Sequence, residues 1–98
     1  MARFDVHRRL DGSGYLIDLQ ANILSSLNTR FVTPLLPLHE APRPAVRLNP
    51  VFAIDGEQYV MVTQFSGAVP LSQLGPCVGS LLSEDTAIVA ALDMLIGA

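Results

Sequence analysis

Polar and apolar residues alternate strictly along Arg3-Phe4-Asp5-Val6-His7, the period-two signature of a strand that turns Phe4 and Val6 to a core. Arg9 to Gly14 then concentrates turn formers, and Tyr15-Leu16-Ile17-Asp18-Leu19 resumes as a second strand pairing back on the first. From Gln20 to Asn28 the period is lost. Ile23, Leu24 and Leu27 fit one helical turn or an extended crossing, so irregular structure is predicted there. Thr29-Arg30-Phe31-Val32-Thr33 reads as a third strand that Pro34 stops, because proline has no N–H for a ladder. The proline-bounded run Leu35-Leu36-Pro37-Leu38 is then extended at a sheet edge, and His39 to Pro50 is the longest loop.

Two further elements carry stronger signals. Asp55-Gly56 separates Pro50–Ile54 from Glu57–Phe65, both rich in β-formers, and both central residues of a type I′ turn need positive φ, so this is a hairpin. Val69 to Leu74 suits a short helical turn, Gly75-Pro76 breaks it, and Cys77–Leu81 is a last short strand. Ser83 to Ala98 is the one long helix. Ser83 is the expected N-cap, Glu84 and Asp85 put negative charge in the first turn, and Gly97 is the stop. Ile88, Leu92 and Leu95 recur at i, i+4 and i+7, so this helix lies on a sheet. Its end, Met94-Leu95-Ile96, carries no charge, although chain ends are usually polar and frayed.

Composition sharpens the picture. Ninety-eight residues suit one domain. Half of them are hydrophobic and 15% are charged, which is apolar for a small monomer and favours a homo-oligomer. Asp18, Gln20, Asp55 and Asp93 interrupt every apolar run before the roughly 20 residues that span a bilayer. No apolar leader follows Met1, so a cytoplasmic protein without a membrane partner is expected. The net charge of −3 and the absence of lysine argue against broad nucleic-acid binding.

Candidate chemistry is sparse. His7, on the polar face of its strand, and His39, beside Glu40 in a loop, are possible general bases, with solvated surface histidine as the plainer reading. Arg30 with Thr29 or Thr33 offers an oxyanion clamp or merely a half-exposed sheet face. Cys77 allows no internal disulfide and reads as a small buried hydrophobe. The two histidines have no metal-ligand spacing, and no phosphate loop or nucleophile elbow occurs, so neither metal nor cofactor is expected.

The order of segments is more specific than any one of them. Tyr15–Gln20, Asn28–Leu35, Leu48–Glu57, Met61–Gln64, Val69-Pro70 and Ile88–Leu95, at these spacings, together resemble the CcdB toxin family over almost the whole chain. The resemblance implies a mainly β fold: an SH3-like barrel of antiparallel strands, a small extra sheet and one C-terminal α-helix, assembled as a homodimer. It implies a non-enzymatic toxin of a type II toxin–antitoxin system, which binds the DNA gyrase A subunit and traps the enzyme on cleaved DNA. A CcdA-like antitoxin neutralises it. Such a poison has only to prefer one state of its target. On the family pattern the gyrase contact falls on Met94, Leu95, Ile96, Gly97 and Ala98. Ile23 and Leu24 match a second apolar patch near the gyrase-facing surface, with burial in the core an equal alternative. The antitoxin contact falls on Arg8, Arg9, Leu10, Asp11, Gly12, Ser13 and Gly14. One departure is plain: Ile96 precedes Gly97 where some members have Trp, and the tail is about one residue shorter. Two rivals follow from the same resemblance. MazF and Kid messenger-RNA endonucleases resemble CcdB in fold and would use Arg30, Thr29 and His39. A non-toxic CcdB-like module would bind antitoxin only.

Overall fold

A computed structural model describes residues 2–97. Seven strands follow one another: β1 (Asp5–Arg9), β2 (Tyr15–Asp18), β3 (Thr29–Pro37), β4 (Val51–Ile54), β5 (Glu57–Met61), β6 (Gly67–Pro70) and β7 (Leu74–Ser80). The chain ends in the helix α1 (Asp85–Ile96), and short 3₁₀ turns lie at Asn22–Leu24, Thr63–Phe65, Leu71–Gln73 and Leu82–Glu84. All pairings are antiparallel, in the order β4-β5-β3-β2-β1-β7, with β6 paired to the first half of β3 off this path; in place of the expected small extra sheet there is this one strand of the same sheet. The sheet curls until its end strands face each other. Ala53 and Ile54 of β4 and Val78, Gly79 and Ser80 of β7 line one cleft of about 130 Å³ with Val6 and Leu81.

The core is the inside of this curl. Val6, Tyr15, Ile17, Leu35, Phe52, Tyr59 and Met61 come from the sheet, and Ile88 and Ala91 of α1 close it from one end. The rings of Tyr15 and Tyr59 meet edge to face at 5.0 Å, a favoured aromatic geometry. Phe4 and Val6 are both buried as the alternation predicts. Phe4, however, has φ +75° and stands outside the ladder, so β1 begins at Asp5 and extends to Arg9. The hairpin is as expected: Asp55 and Gly56 have φ of +52° and +81°, and β4 pairs β5 from Val51↔Val60 to Ile54↔Glu57. β5 stops at Met61, and Thr63–Phe65 turns where more strand was predicted.

Proline did not end β3, which continues through Pro34 to Pro37. A strand residue points its C=O and N–H to the same edge. The Pro34 carbonyl accepts from the Val62 N–H at 3.0 Å, so the donor proline lacks belongs to the edge where β3 changes partner from β6 to β5. Leu35 consequently pairs Tyr15 on one side and Met61 on the other. The run read as a sheet edge therefore starts in the interior, at Leu35, and Leu36 and Pro37 continue it on β5 alone. Gly75-Pro76 likewise lies within β7, which pairs only with β1 and shifts register at two places; proline is tolerated at such edges and bulges.

The helix begins later than its sequence suggested. Ser83 falls in the Leu82–Glu84 turn, and α1 starts at Asp85 without a side-chain cap. Gly97 is the expected stop, in the left-handed region at φ +76°, its N–H donating to the Asp93 carbonyl. No helix among the described residues is long and apolar enough to cross a membrane.

Candidate functional site

Packing of α1 runs out before the helix does. Ile88 and Ala91 are buried and Val89 and Leu92 half-buried, but in the last turn Met94 is 52%, Leu95 40% and Ile96 74% exposed. Leu95, expected on the packed face with Ile88 and Leu92, therefore belongs to an open tip. The left-handed Gly97 ends that tip as a formed helix rather than a frayed one. Ala98 lies outside the described residues.

A second apolar group stands at the Asn22–Leu24 turn, where Ile23 is 88% and Leu24 46% exposed. Of the two alternatives open from sequence, surface is the outcome. The turn is held from behind: Gln20 Nε2 donates to the Leu24 carbonyl at 2.9 Å, and Gln20 Oε1 accepts from the Phe31 N–H at 3.0 Å. The Arg3 N–H donates to Asn22 Oδ1 at 2.8 Å. These supports come from the segment just after β2, from β3 and from the residues before β1, whereas α1 packs on the Thr63–Phe65 turn.

Between β1 and β2 the segment Arg8 to Gly14 is shaped by its own contacts. Arg9 Nε lies 3.6 Å from Asp11, and Arg9 Nη1 donates to the Ser13 carbonyl at 3.1 Å. Ser13 Oγ sits 2.9 and 2.7 Å from the two Glu40 oxygens, tying this loop to the one after β3. Gly14 must be glycine: its φ is +89°, and a Cβ there would run into the Leu35 carbonyl oxygen. Leu10, Asp11, Gly12 and Ser13 stand exposed.

The groups named as candidates for a catalytic centre are dispersed. Arg30 is fully buried instead of half exposed, and its Nε and Nη2 donate to Asp18 Oδ2 at 2.9 and 2.7 Å. Asp18 Oδ1 accepts from the Gln20 N–H at 3.0 Å. Thr33 is buried against Ser66 and Thr29 is exposed. His39 stands in solvent 3.4 Å from Glu40, past the far end of β3, roughly 25 Å of extended strand from Arg30. His7, read as a surface histidine, is buried, and Cys77, read as a buried one, is exposed. The Asp18–Arg30 pair is what sequence reasoning missed. Its signal was a charge of each sign within otherwise apolar strands, where a buried ion survives only with a partner.

Against this geometry, the sequence profile described as CcdB protein matches residues 3–97. The chain belongs to the CcdB family. It is thus the toxin of a toxin–antitoxin pair, with an antitoxin as partner. No curated protein matches it by sequence. Among solved structures, a mycobacterial endoribonuclease in complex with its cognate antitoxin is 14% identical, with a TM-score of 0.78 over 99% of this chain and 95% of that one. The toxin MazF-mt6 of Mycobacterium tuberculosis is 17% identical, with a TM-score of 0.77 over 94% of this chain and 95% of that one. Another mycobacterial endoribonuclease is 16% identical, with a TM-score of 0.79 over 99% and 91%. At such identities the likeness establishes fold, and the fold of this CcdB-family chain is the SH3-like barrel with a C-terminal helix.

Proposed function

We propose that this CcdB-family toxin acts without catalysis, as a homodimer that docks Met94, Leu95, Ile96, Gly97 and Ala98 on the DNA gyrase A subunit. Ile23 and Leu24 extend the contact, and Arg8 to Gly14 receive a CcdA-like antitoxin. The observation that carries the reading is the apolar last turn of α1, where Met94, Leu95 and Ile96 stand exposed after packing on the sheet has ended. Apolar anchors of this kind dominate interfaces when a partner desolvates them. The endonuclease alternative rests on fold likeness, and its phosphate-binding residue would be Arg30, which is fully buried and engaged by Asp18.

The test is supercoiling and cleavage by purified gyrase with the intact protein and with a chain lacking Met94 to Ala98. Inhibition or trapped cleavage by the intact protein alone is the expected result. If neither form affects gyrase and the intact protein cuts RNA, the poison reading fails in favour of the endonuclease. If neither activity appears while antitoxin still binds, the chain is an antitoxin-binding module.

A further inference from the structure

His7 is buried, yet only one of its ring nitrogens is engaged. Nδ1 lies 3.1 Å from the Gly75 carbonyl, while Nε2 has no partner. A carbonyl can only accept, so the contact fixes the proton on Nδ1 and leaves a lone pair on Nε2. This is the state in which a histidine binds a metal, with its other N–H held by a backbone oxygen. Gly75 makes that support possible, because a Cβ there would collide with the Arg8 carbonyl oxygen across the ladder.

Two further donors stand beside the ring. One ligand atom each from His7, Asp5 and Cys77 lies within 4.8 Å of the other two. The β1·β7 register explains the grouping. Asp5 pairs Ser80 and Val6 pairs Gly79, so a regular ladder would set Val78 opposite His7, but a one-residue shift sets Cys77 there. A bulge re-aims a side chain in this manner. Asp5 and His7, two residues apart on β1, share a face. Asp5 Oδ2 accepts from the Ala2 N–H at 2.8 Å, and Oδ1 makes no hydrogen bond among the described residues.

We propose that Asp5, His7 and Cys77 form a site for a borderline-soft divalent cation of the Zn²⁺ class. Thiolate, imidazole and carboxylate are zinc's donor set, whereas Mg²⁺ and Ca²⁺ take oxygen alone. Bonds of about 2.0–2.3 Å at tetrahedral angles put ligand atoms about 3.5 Å apart, so an inward move of about 1 Å assembles the shell. Cys77 is exposed, so the ion has an entry path from solvent. On binding, the Cys77 thiol proton passes to solvent, and the thiolate and carboxylate neutralise the ion's two charges.

The test is titration of the reduced, full-length protein with Co²⁺ and then Zn²⁺, reading the thiolate-to-cobalt charge-transfer band and the alkylation rate of Cys77. One Co²⁺ per chain, displacement by Zn²⁺ and protection of Cys77 from alkylation are expected. The band should vanish in Cys77→Ser. In His7→Gln affinity should drop by more than the roughly 10–100-fold that even an outer hydrogen-bond partner contributes. Asp5→Asn, at a half-buried position, provides the same comparison should His7→Gln not fold. Absence of the band in the intact protein overturns the site. So does undiminished affinity in both folded variants, or one metal per two chains, which marks a bridge between exposed cysteines.

Discussion

Arg30 directs two donors at one oxygen of Asp18 and leaves Nη1 without a partner in a place water does not reach. Such a pair adds little net stability, but removing one member strands the other charge. Arg30→Ala should therefore lower unfolding free energy by about 3–5 kcal/mol in denaturant titrations, and Arg30→Met combined with Asp18→Asn should recover much of that. A loss near zero for Arg30→Ala would mean that the pair is solvated. Tyr59 makes a second prediction. Burial foremost, with Tyr15 and Glu57 nearby, raises the phenol above its ordinary value. Above about pH 10 the unfolded chain has released this proton and the folded chain keeps it, so stability falls as pH rises. Tyr59→Phe should flatten that fall, measured as Tm against pH. Single residues were where the sequence misled most. Alternation identified Phe4 and Val6 as core, but His7, Cys77 and Arg30 were all placed on the wrong side of the surface. Which face of β7 is outward depends on its bulges, and a bulge leaves no mark in composition.

At the scale of elements, signals that reside in local conformation were legible. Asp55-Gly56 fixed the hairpin and Gly97 the end of α1, because each needs a left-handed backbone that few residues adopt. Signals that depend on neighbours were not. Pro34 is harmless only because β3 changes partner there, and Ser83 fails as a cap because the preceding 3₁₀ turn takes it up. The apolar tip of α1 combines both kinds: its apolar residues were evident in sequence, and their exposure follows from where packing on the sheet ends. On this footing Ile96→Asp should leave thermal unfolding within about 0.5 kcal/mol, as exposed substitutions do, while weakening gyrase binding by about 2 kcal/mol or more. Calorimetric titration against the gyrase A subunit reads the second quantity. Equal binding by the two proteins would remove Ile96 from the contact.

At the scale of the molecule, the cleft between β4 and β7 is a seam. The sheet path ends at these two strands, each of which pairs with one neighbour only, so no ladder crosses between them. Along the path between them, β5, β3, β2 and β1 are each paired on both sides, and β6 is a short branch on β3 away from the seam. The barrel should therefore breathe at one place. In native-state hydrogen exchange, amides of β4 and β7 should trade protons through small local openings. Those of Leu35 and Val60, flanked by hydrogen-bonded strands, should wait for global unfolding. Equal protection all round would mean that the seam is sealed by something other than side chains. A wall that loosens along one line lets the edge strands respond to whatever settles on them while the tyrosine-lined interior stays fixed.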